Sequence, residues 1–275
     1  MTAAADTAVR LDVSGLTDVG RKRKTNEDHF VVAALQKSVS VRQTSLPDAR
    51  VFDRMQGPEG LLMVVADGVG GRPQGAVASE TAITALVEYI GRAAGCYHEL
   101  DVDQEHQFLE QLETAVLEAH RRLLAQGDKT YGPATTLTMV MLIWPRAYLV
   151  HVGDSRAFYL RKGRLRQITR DQTTGEYMVD AGAWTEEQAR TAPMGNALAS
   201  ALGSEELTPT LGLVDLQPGD VLLLCTDGLT KHVSNERILE LLGGAASAEA
   251  ACRSLVDAAL ADGGTDNVTA VVARA

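Results

Sequence analysis

Leu61-Leu62-Met63-Val64-Val65-Ala66-Asp67-Gly68-Val69-Gly70-Gly71 is an apolar run that ends on a carboxylate and a glycine-rich turn. Such a run reads as a strand buried on both faces, and Asp67 stands at its end, poised to meet a ligand. The construction recurs where residues 221–226 run into Asp227-Gly228. Its mirror image is Gly263-Gly264-Thr265-Asp266-Asn267, which leads into an apolar strand at 268–273. A further acidic cluster, Asn26-Glu27-Asp28, lies just before Phe30-Val31-Val32. A single Asp-Gly is ordinarily a turn, because both residues suit turn backbones. Repetition at several strand ends points instead to one oxygen-rich pocket.

Outward from that stretch, residues 11–19, 137–144, 147–152 and 221–225 also read as strands. Helical spacing appears at 73–90, with Val77, Thr81, Leu86 and Tyr89 as its apolar face, and at 104–125, with Phe108, Leu112, Val116, Ala119 and Leu123. Residues 246–261 form a third candidate helix. The order is strands, two long helices, a run of strands, a short helical stretch, more strands, a helix and a last strand. That is not βαβ alternation, so helices covering antiparallel sheets, an α+β sandwich, fit better than a doubly wound sheet. Two segments interrupt the pattern. Residues 36–60 hold a candidate hairpin, 39–44 with 50–55, and the polar segment 173–196 predicts short helices over a surface. No repeat or linker divides the chain, so residues 1–275 are expected to form a single domain.

Composition narrows the function. With 275 residues, 45% apolar and 23% charged, the chain suits a folded globular protein. A net charge of −10 repels a polyanionic backbone and argues against nucleic acid. No signal-peptide pattern opens the chain and no long apolar window interrupts it, so a cytoplasmic protein without a membrane span is expected. The three cysteines, Cys96, Cys225 and Cys252, form no CxxC pair and suggest reduced, buried thiols. The six histidines form no HExxH pair. Carboxylates crowded into one pocket stay ionised only beside cations, and an all-oxygen shell selects hard ions such as Mg²⁺ or Mn²⁺. Two such ions on a bridging Asp would lower the pKa of a shared water and hold it as a nucleophile.

Six segments carry a resemblance. They are Thr17-Asp18-Val19-Gly20 through Asn26-Glu27-Asp28; Val65-Ala66-Asp67-Gly68-Val69-Gly70-Gly71; Ala134-Thr135-Thr136-Leu137; Val152-Gly153-Asp154-Ser155-Arg156; Leu224-Cys225-Thr226-Asp227-Gly228-Leu229; and Gly264-Thr265-Asp266-Asn267-Val268-Thr269. In this order they resemble the metal-dependent protein phosphatase family, protein phosphatase 2C, in its bacterial form. The resemblance implies a four-layer α-β-β-α sandwich, two central antiparallel sheets flanked by helix pairs, with two Mn²⁺ or Mg²⁺ ions at one end. It implies that Asp67 bridges both ions, that Asp227 and Asp266 complete one ion's ligands, and that the Gly68 carbonyl binds the other. Glu27 and Asp28 would hold water on the ions, and Arg23 would grip the phosphate, a role that suits a guanidinium fork. The implied reaction is in-line attack of metal-activated water on phosphoserine or phosphothreonine in protein substrates, such as those of a serine/threonine kinase pathway, without a phosphoenzyme.

Departures from the family pattern bear on mechanism and substrate. Val69 stands where many eukaryotic members carry a histidine that protonates the leaving oxygen, so rates are expected to depend strongly on leaving-group acidity. Asp171-Gln172-Thr173 replaces the common Asp-His-Ser, and the flap at 173–196, which borders the active site in the family, carries Ala192-Pro193-Met194-Gly195 rather than a more basic stretch. Asp128 is the nearest carboxylate for the third ion that bacterial relatives often bind. Ser155 lacks a GxSxG elbow and is expected to serve structure with Asp154 and Arg156. A dinucleotide loop at Asp67 is rejected, since Pro73 occupies the place of its last glycine. Two other readings stay open: a weakly active regulatory pseudophosphatase or binding module, and a hydrolase of small phosphate esters.

Overall fold

A computed structural model describes residues 11–35, 60–69, 74–93, 102–127 and 132–275. The expected hairpin at 39–44 and 50–55, Asp128 and Cys96 lie outside the described residues.

Two five-stranded antiparallel sheets form the centre. The first has the order β1 (Asp12–Asp18), β10 (Val268–Arg274), β9 (Val221–Cys225), β6 (Arg156–Arg161), β7 (Arg164–Gln167). The second runs β2 (Asp28–Leu35), β3 (Gly60–Asp67), β4 (Leu137–Ile143), β5 (Arg146–Val152), β8 (Thr210–Asp215). Helices α1 (Gly75–Ala93) and α2 (Val102–Leu124) cover the second sheet, while α6 (Asn235–Gly244) and α7 (Ala248–Ala261) cover the first. Short helices α3 (Thr174–Asp180) and α4 (Glu186–Thr191) occupy the 173–196 segment, and α5 (Asp227–Thr230) follows β9. This is the expected four-layer α-β-β-α sandwich.

The run at 61–66 is apolar throughout because both faces of β3 are covered. Leu62, Val64 and Ala66 pack toward α1 and α2, whereas Leu61, Met63 and Val65 join Val140, Leu142, Leu224 and Val271 between the sheets. Each buried leucine, valine or methionine of this strand contributes roughly 1.5–3 kcal/mol. The apolar stripe expected for α2 is buried as a unit, Phe108 through Leu123.

The face of α1 differs from expectation. Val77 is 44% exposed, and the helix is buried through Ala78, Ala82, Ala85 and Leu86. Ile83 and Ile90 are buried with Leu86, and Tyr89 packs against the same core, so the expected face holds toward the end of the helix and is one residue out of phase at its start, where Ala78 and Ala82 are buried instead of Val77 and Thr81. Helix α6 was not anticipated, because its buried contribution is only Ile238 and Leu242 ahead of two glycines. Its start is nonetheless marked by Ser234, which caps the helix by accepting from the Arg237 amide.

Candidate active site

Every strand end that carries an acidic motif reaches the same end of the sandwich. Asp28 and Asp67 are register partners at one end of the β2–β3 pair, and Asp266 immediately precedes β10, two residues before Val268, which pairs with Asp18. A cleft of about 470 Å³ opens there, lined by Arg23, Glu27, Asp67, Gly68, Asp227 and Asp266, and also by Asp154 and Lys231. Asp28 lies beneath the cleft floor at 2% exposure.

The motif threonines and asparagines hold the acids in place. Thr136 Oγ1 accepts from the Asp67 amide at 3.0 Å, and the Thr135 hydroxyl and Thr136 amide donate to the Asp67 carbonyl at 2.8 and 2.9 Å. Ser155, fully buried, sets its hydroxyl 2.9 Å from Thr136 Oγ1, so its oxygen faces the scaffold rather than the cleft. Asp28 Oδ2 accepts from the hydroxyls of Thr226 and Thr269, each at 2.7 Å. Because Thr269 donates there, it accepts from Thr17, which in turn accepts from Asn26 Nδ2. Asn267 ties the first loop to the last strand: its Oδ1 accepts from the Glu27 amide, and its Nδ2 donates to the carbonyls of Val19 and Thr25.

Two glycines permit close approach around the acids. A Cβ on Gly68 would lie 2.3 Å from the Gly75 carbonyl oxygen at the start of α1, and one on Gly228 would lie 1.9 Å from the Asn267 oxygen. The second Asp-Gly is therefore not a turn but the start of α5. That short helix places Lys231 four residues after Asp227 and on its side, with Nζ 2.5 Å from Asp227 Oδ2 and 3.0 Å from Asp266 Oδ2. Arg23 completes the rim, its Nε 2.8 Å from Asp266 Oδ1.

Electrostatics mark the pocket as short of positive charge. Desolvation by burial, then the Asp227 charge, pushes Asp28 up to about 7 against the pull of its two threonine donors. Desolvation together with Asp227 and Asp171 pushes Asp154 up to about 7 as well. Asp67 is raised well above the carboxylate range by desolvation and by its neighbours Asp28 and Asp227. Asp227 is raised by desolvation despite Lys231. Only Asp266 is held low: desolvation acts upward on it, but Arg23 and Lys231 outweigh that effect.

The sequence model described as Protein phosphatase 2C matches residues 35–263. The chain belongs to the protein phosphatase 2C family. Among curated members, the serine/threonine protein phosphatase PstP of Mycobacterium tuberculosis is 40% identical over 215 residues, 77% of this chain and 40% of PstP. The chain thus spans about two fifths of that relative's length. Protein phosphatase PhpP of Streptococcus pneumoniae is 30% identical over 264 residues, 94% of this chain and 95% of PhpP. The crystal structure of the PstP catalytic domain with two manganese ions superposes with a TM-score of 0.72 at 33% identity, covering 96% of this chain and 97% of that one.

Whether the pocket of this family member suits divalent cations is tested by its own oxygens. Asp28 Oδ1 and Asp227 Oδ1 are buried and accept no hydrogen bond, which is costly for a carboxylate unless a cation uses the lone pairs. The donors are all oxygens, the preference of Mn²⁺ and Mg²⁺. Among the described residues no three acidic, imidazole or thiolate groups are already gathered as a metal-binding set. Lys231 and Arg23 hold three of the four oxygens of Asp227 and Asp266. The donor set fits the ions.

Two groups escaped the sequence reading. Lys231 was hidden because its i,i+4 relation to Asp227 exists only if Asp227-Gly228 opens a helix. Asp154 was assigned to structure, yet it lines the cleft, while Arg156 does hold a structural bidentate pair with Asp171. The segment at 173–196 reaches the cleft through Asn196 and carries exposed Tyr177 and Met194. No helix among the described residues is long and apolar enough to cross a membrane.

Proposed function

We propose that this chain removes phosphate from phosphoserine and phosphothreonine in proteins, with two Mn²⁺ or Mg²⁺ ions held by the acidic cleft. The observation that carries the reading is the pair of buried, unpartnered oxygens on Asp28 and Asp227, set among acids that lie beside a forked cation, Arg23. Asp67, Asp227, Asp266 and the Gly68 carbonyl would hold the ions, while Glu27 and Asp28 order water beside them. Bound ions supply a lowered water pKa and a Lewis-acid contact to phosphoryl oxygens.

The chain's own contribution is position and charge. Thr135 and Thr136 fix the Asp67 backbone, so the carboxylate at the strand end cannot drift. Arg23, at the rim and 42% exposed, offers its fork to the phosphoryl oxygens and stabilises the charge that develops on them. Its present partner, Asp266, is one of the proposed ligands, so a bound ion would leave the guanidinium available to substrate. Val69 lines the cleft, and among the described residues no histidine does, so no imidazole stands by to protonate the leaving oxygen.

The finer reading is one catalytic domain in the cytoplasm, opposing a serine/threonine kinase. Cys225 and Cys252 are buried and unpaired, as suits a reducing compartment. The test is hydrolysis of a phosphothreonine peptide and of a small aryl phosphate by chelated protein to which Mn²⁺ or Mg²⁺ is restored, with Asp227→Ala alongside. Metal-restored turnover that favours the peptide and is lost in the variant is expected. Turnover of the small ester alone, or none with either ion, would count against the proposal.

A further inference from the structure

Lys231 has no role in the reading above, yet it lines the acidic cleft. It reaches Asp227 Oδ2 and Asp266 Oδ2 at 2.5 and 3.0 Å. The position is built rather than incidental. Helix α5 puts Lys231 four residues after Asp227, and the Lys231 amide donates to the Asp227 carbonyl at 2.8 Å, which fixes the root of the side chain. We infer that Lys231 is an internal counter-cation for the Asp227–Asp266 pair, which a divalent ion must displace, so that this residue sets how tightly the cleft takes up metal.

The physical argument is competition for the same oxygens. Asp227 has one oxygen on Lys231 and one buried without any partner, and Asp266 shares its two oxygens between Arg23 and Lys231. An ion ligated by both carboxylates would lie within a few ångströms of the ammonium, where two positive charges repel. The ammonium therefore leaves when the ion arrives. The metal-free protein meanwhile keeps a neutralising group among acids that would otherwise repel one another. The side chain is 41% exposed, so solvent is within reach of the displaced head and the competition is moderate.

This inference rests on the metal-dependent reading, and one experiment separates the two. Mn²⁺ is titrated calorimetrically into chelated wild type, Lys231→Met, Lys231→Gln and Lys231→Arg, with melting temperature followed against Mn²⁺ concentration in the same proteins. Both neutral variants should bind Mn²⁺ about three- to tenfold more tightly than wild type, melt lower when chelated and gain more on metal addition. Lys231→Arg should stay near wild type. A neutral variant that is unfolded when chelated and recovers native circular dichroism with Mn²⁺ supports the inference, and one that does not recover contradicts it. Wild-type binding that the neutral variants match or weaken overturns the role of Lys231 alone. No Mn²⁺ binding by any of the proteins overturns the metal site and this inference together.

Discussion

Asp28 and Asp67 face each other directly across the β2–β3 pair, as register partners at its cleft end. Like charges in that relation are destabilising in a sheet, and here one of the two is buried with an oxygen that meets nothing. On the proposed metal-binding role of these acids, the arrangement would trade stability of the metal-free fold for cation binding. Asp28→Asn removes the charge but keeps an oxygen for the Thr226 and Thr269 hydroxyls. Chelated Asp28→Asn should be more stable than chelated wild type by about 1–2 kcal/mol in urea denaturation, while Mn²⁺ stabilises it less and phosphopeptide turnover falls. Equal or lower stability without metal would contradict the electrostatic account.

Thr136 tests whether the threonine clasp positions Asp67. Valine has the same shape but leaves the Asp67 amide without its acceptor and the Ser155 hydroxyl without its partner. Unfolding of Thr136→Val should cost about 1–3 kcal/mol relative to wild type. In folded protein at saturating Mn²⁺, kcat should fall by more than KM changes, since the contact orients the cleft and does not bind the substrate. A loss confined to KM would argue against that role.

Chemistry at the leaving oxygen offers a separate check. With Val69 lining the cleft and no imidazole there among the described residues, the departing oxygen receives no help from a histidine. Across aryl phosphates, kcat should drop steeply as the phenol becomes less acidic, under conditions where burst kinetics show that chemistry limits turnover. A flat dependence would mean that another group in the cleft donates the proton.

His151 gives a pH signature outside the cleft. Desolvation lowers its pKa from 6.5 to about 4, and in the core it meets Thr138 Oγ1 at Nδ1 and the Arg170 carbonyl at Nε2, with Asp171 the nearby charge. The unfolded chain binds this proton below pH 6.5 and the folded one does not until about 4, so the unfolded state binds more protons in that window. The contribution is complete above pH 6.5 and is lost as pH falls toward 4, by roughly 3 kcal/mol. The stability of wild type minus that of His151→Asn, a difference in which the shared carboxylates cancel, should shrink by about that amount between pH 7 and pH 4. A difference independent of pH would contradict the neutral buried ring.

Much of this architecture is legible in the sequence, and the reasons differ from element to element. Residues 61–66 announce a doubly covered strand because burial on both faces leaves no polar position, and Phe108 to Leu123 mark their helix because large residues recur at its period. The convergence of Asp67, Asp227 and Asp266 follows from acids repeatedly placed at strand ends beside glycine. By contrast, the start of α1 buries Ala78 and Ala82, which carry little hydrophobic signal of their own, so Val77 and Thr81 were placed on its inner face although only Leu86 and Tyr89 of the expected stripe meet the core. Lys231 and Asp154 were missed for a different reason. Their importance depends on distances between chain segments far apart in sequence and on a four-residue helix too short to show any period.

The most direct test of the central claim, that the acids at this end of the sandwich form a cation site that drives phosphoester hydrolysis, uses Asp67→Asn. Phosphothreonine peptide hydrolysis and melting temperature are measured together, in wild type and variant, as Mn²⁺ is added back to chelated protein. Wild type should gain turnover and melting temperature over the same Mn²⁺ range, and Asp67→Asn, though folded, should gain neither. Mn²⁺-dependent turnover that survives in the variant would contradict the account.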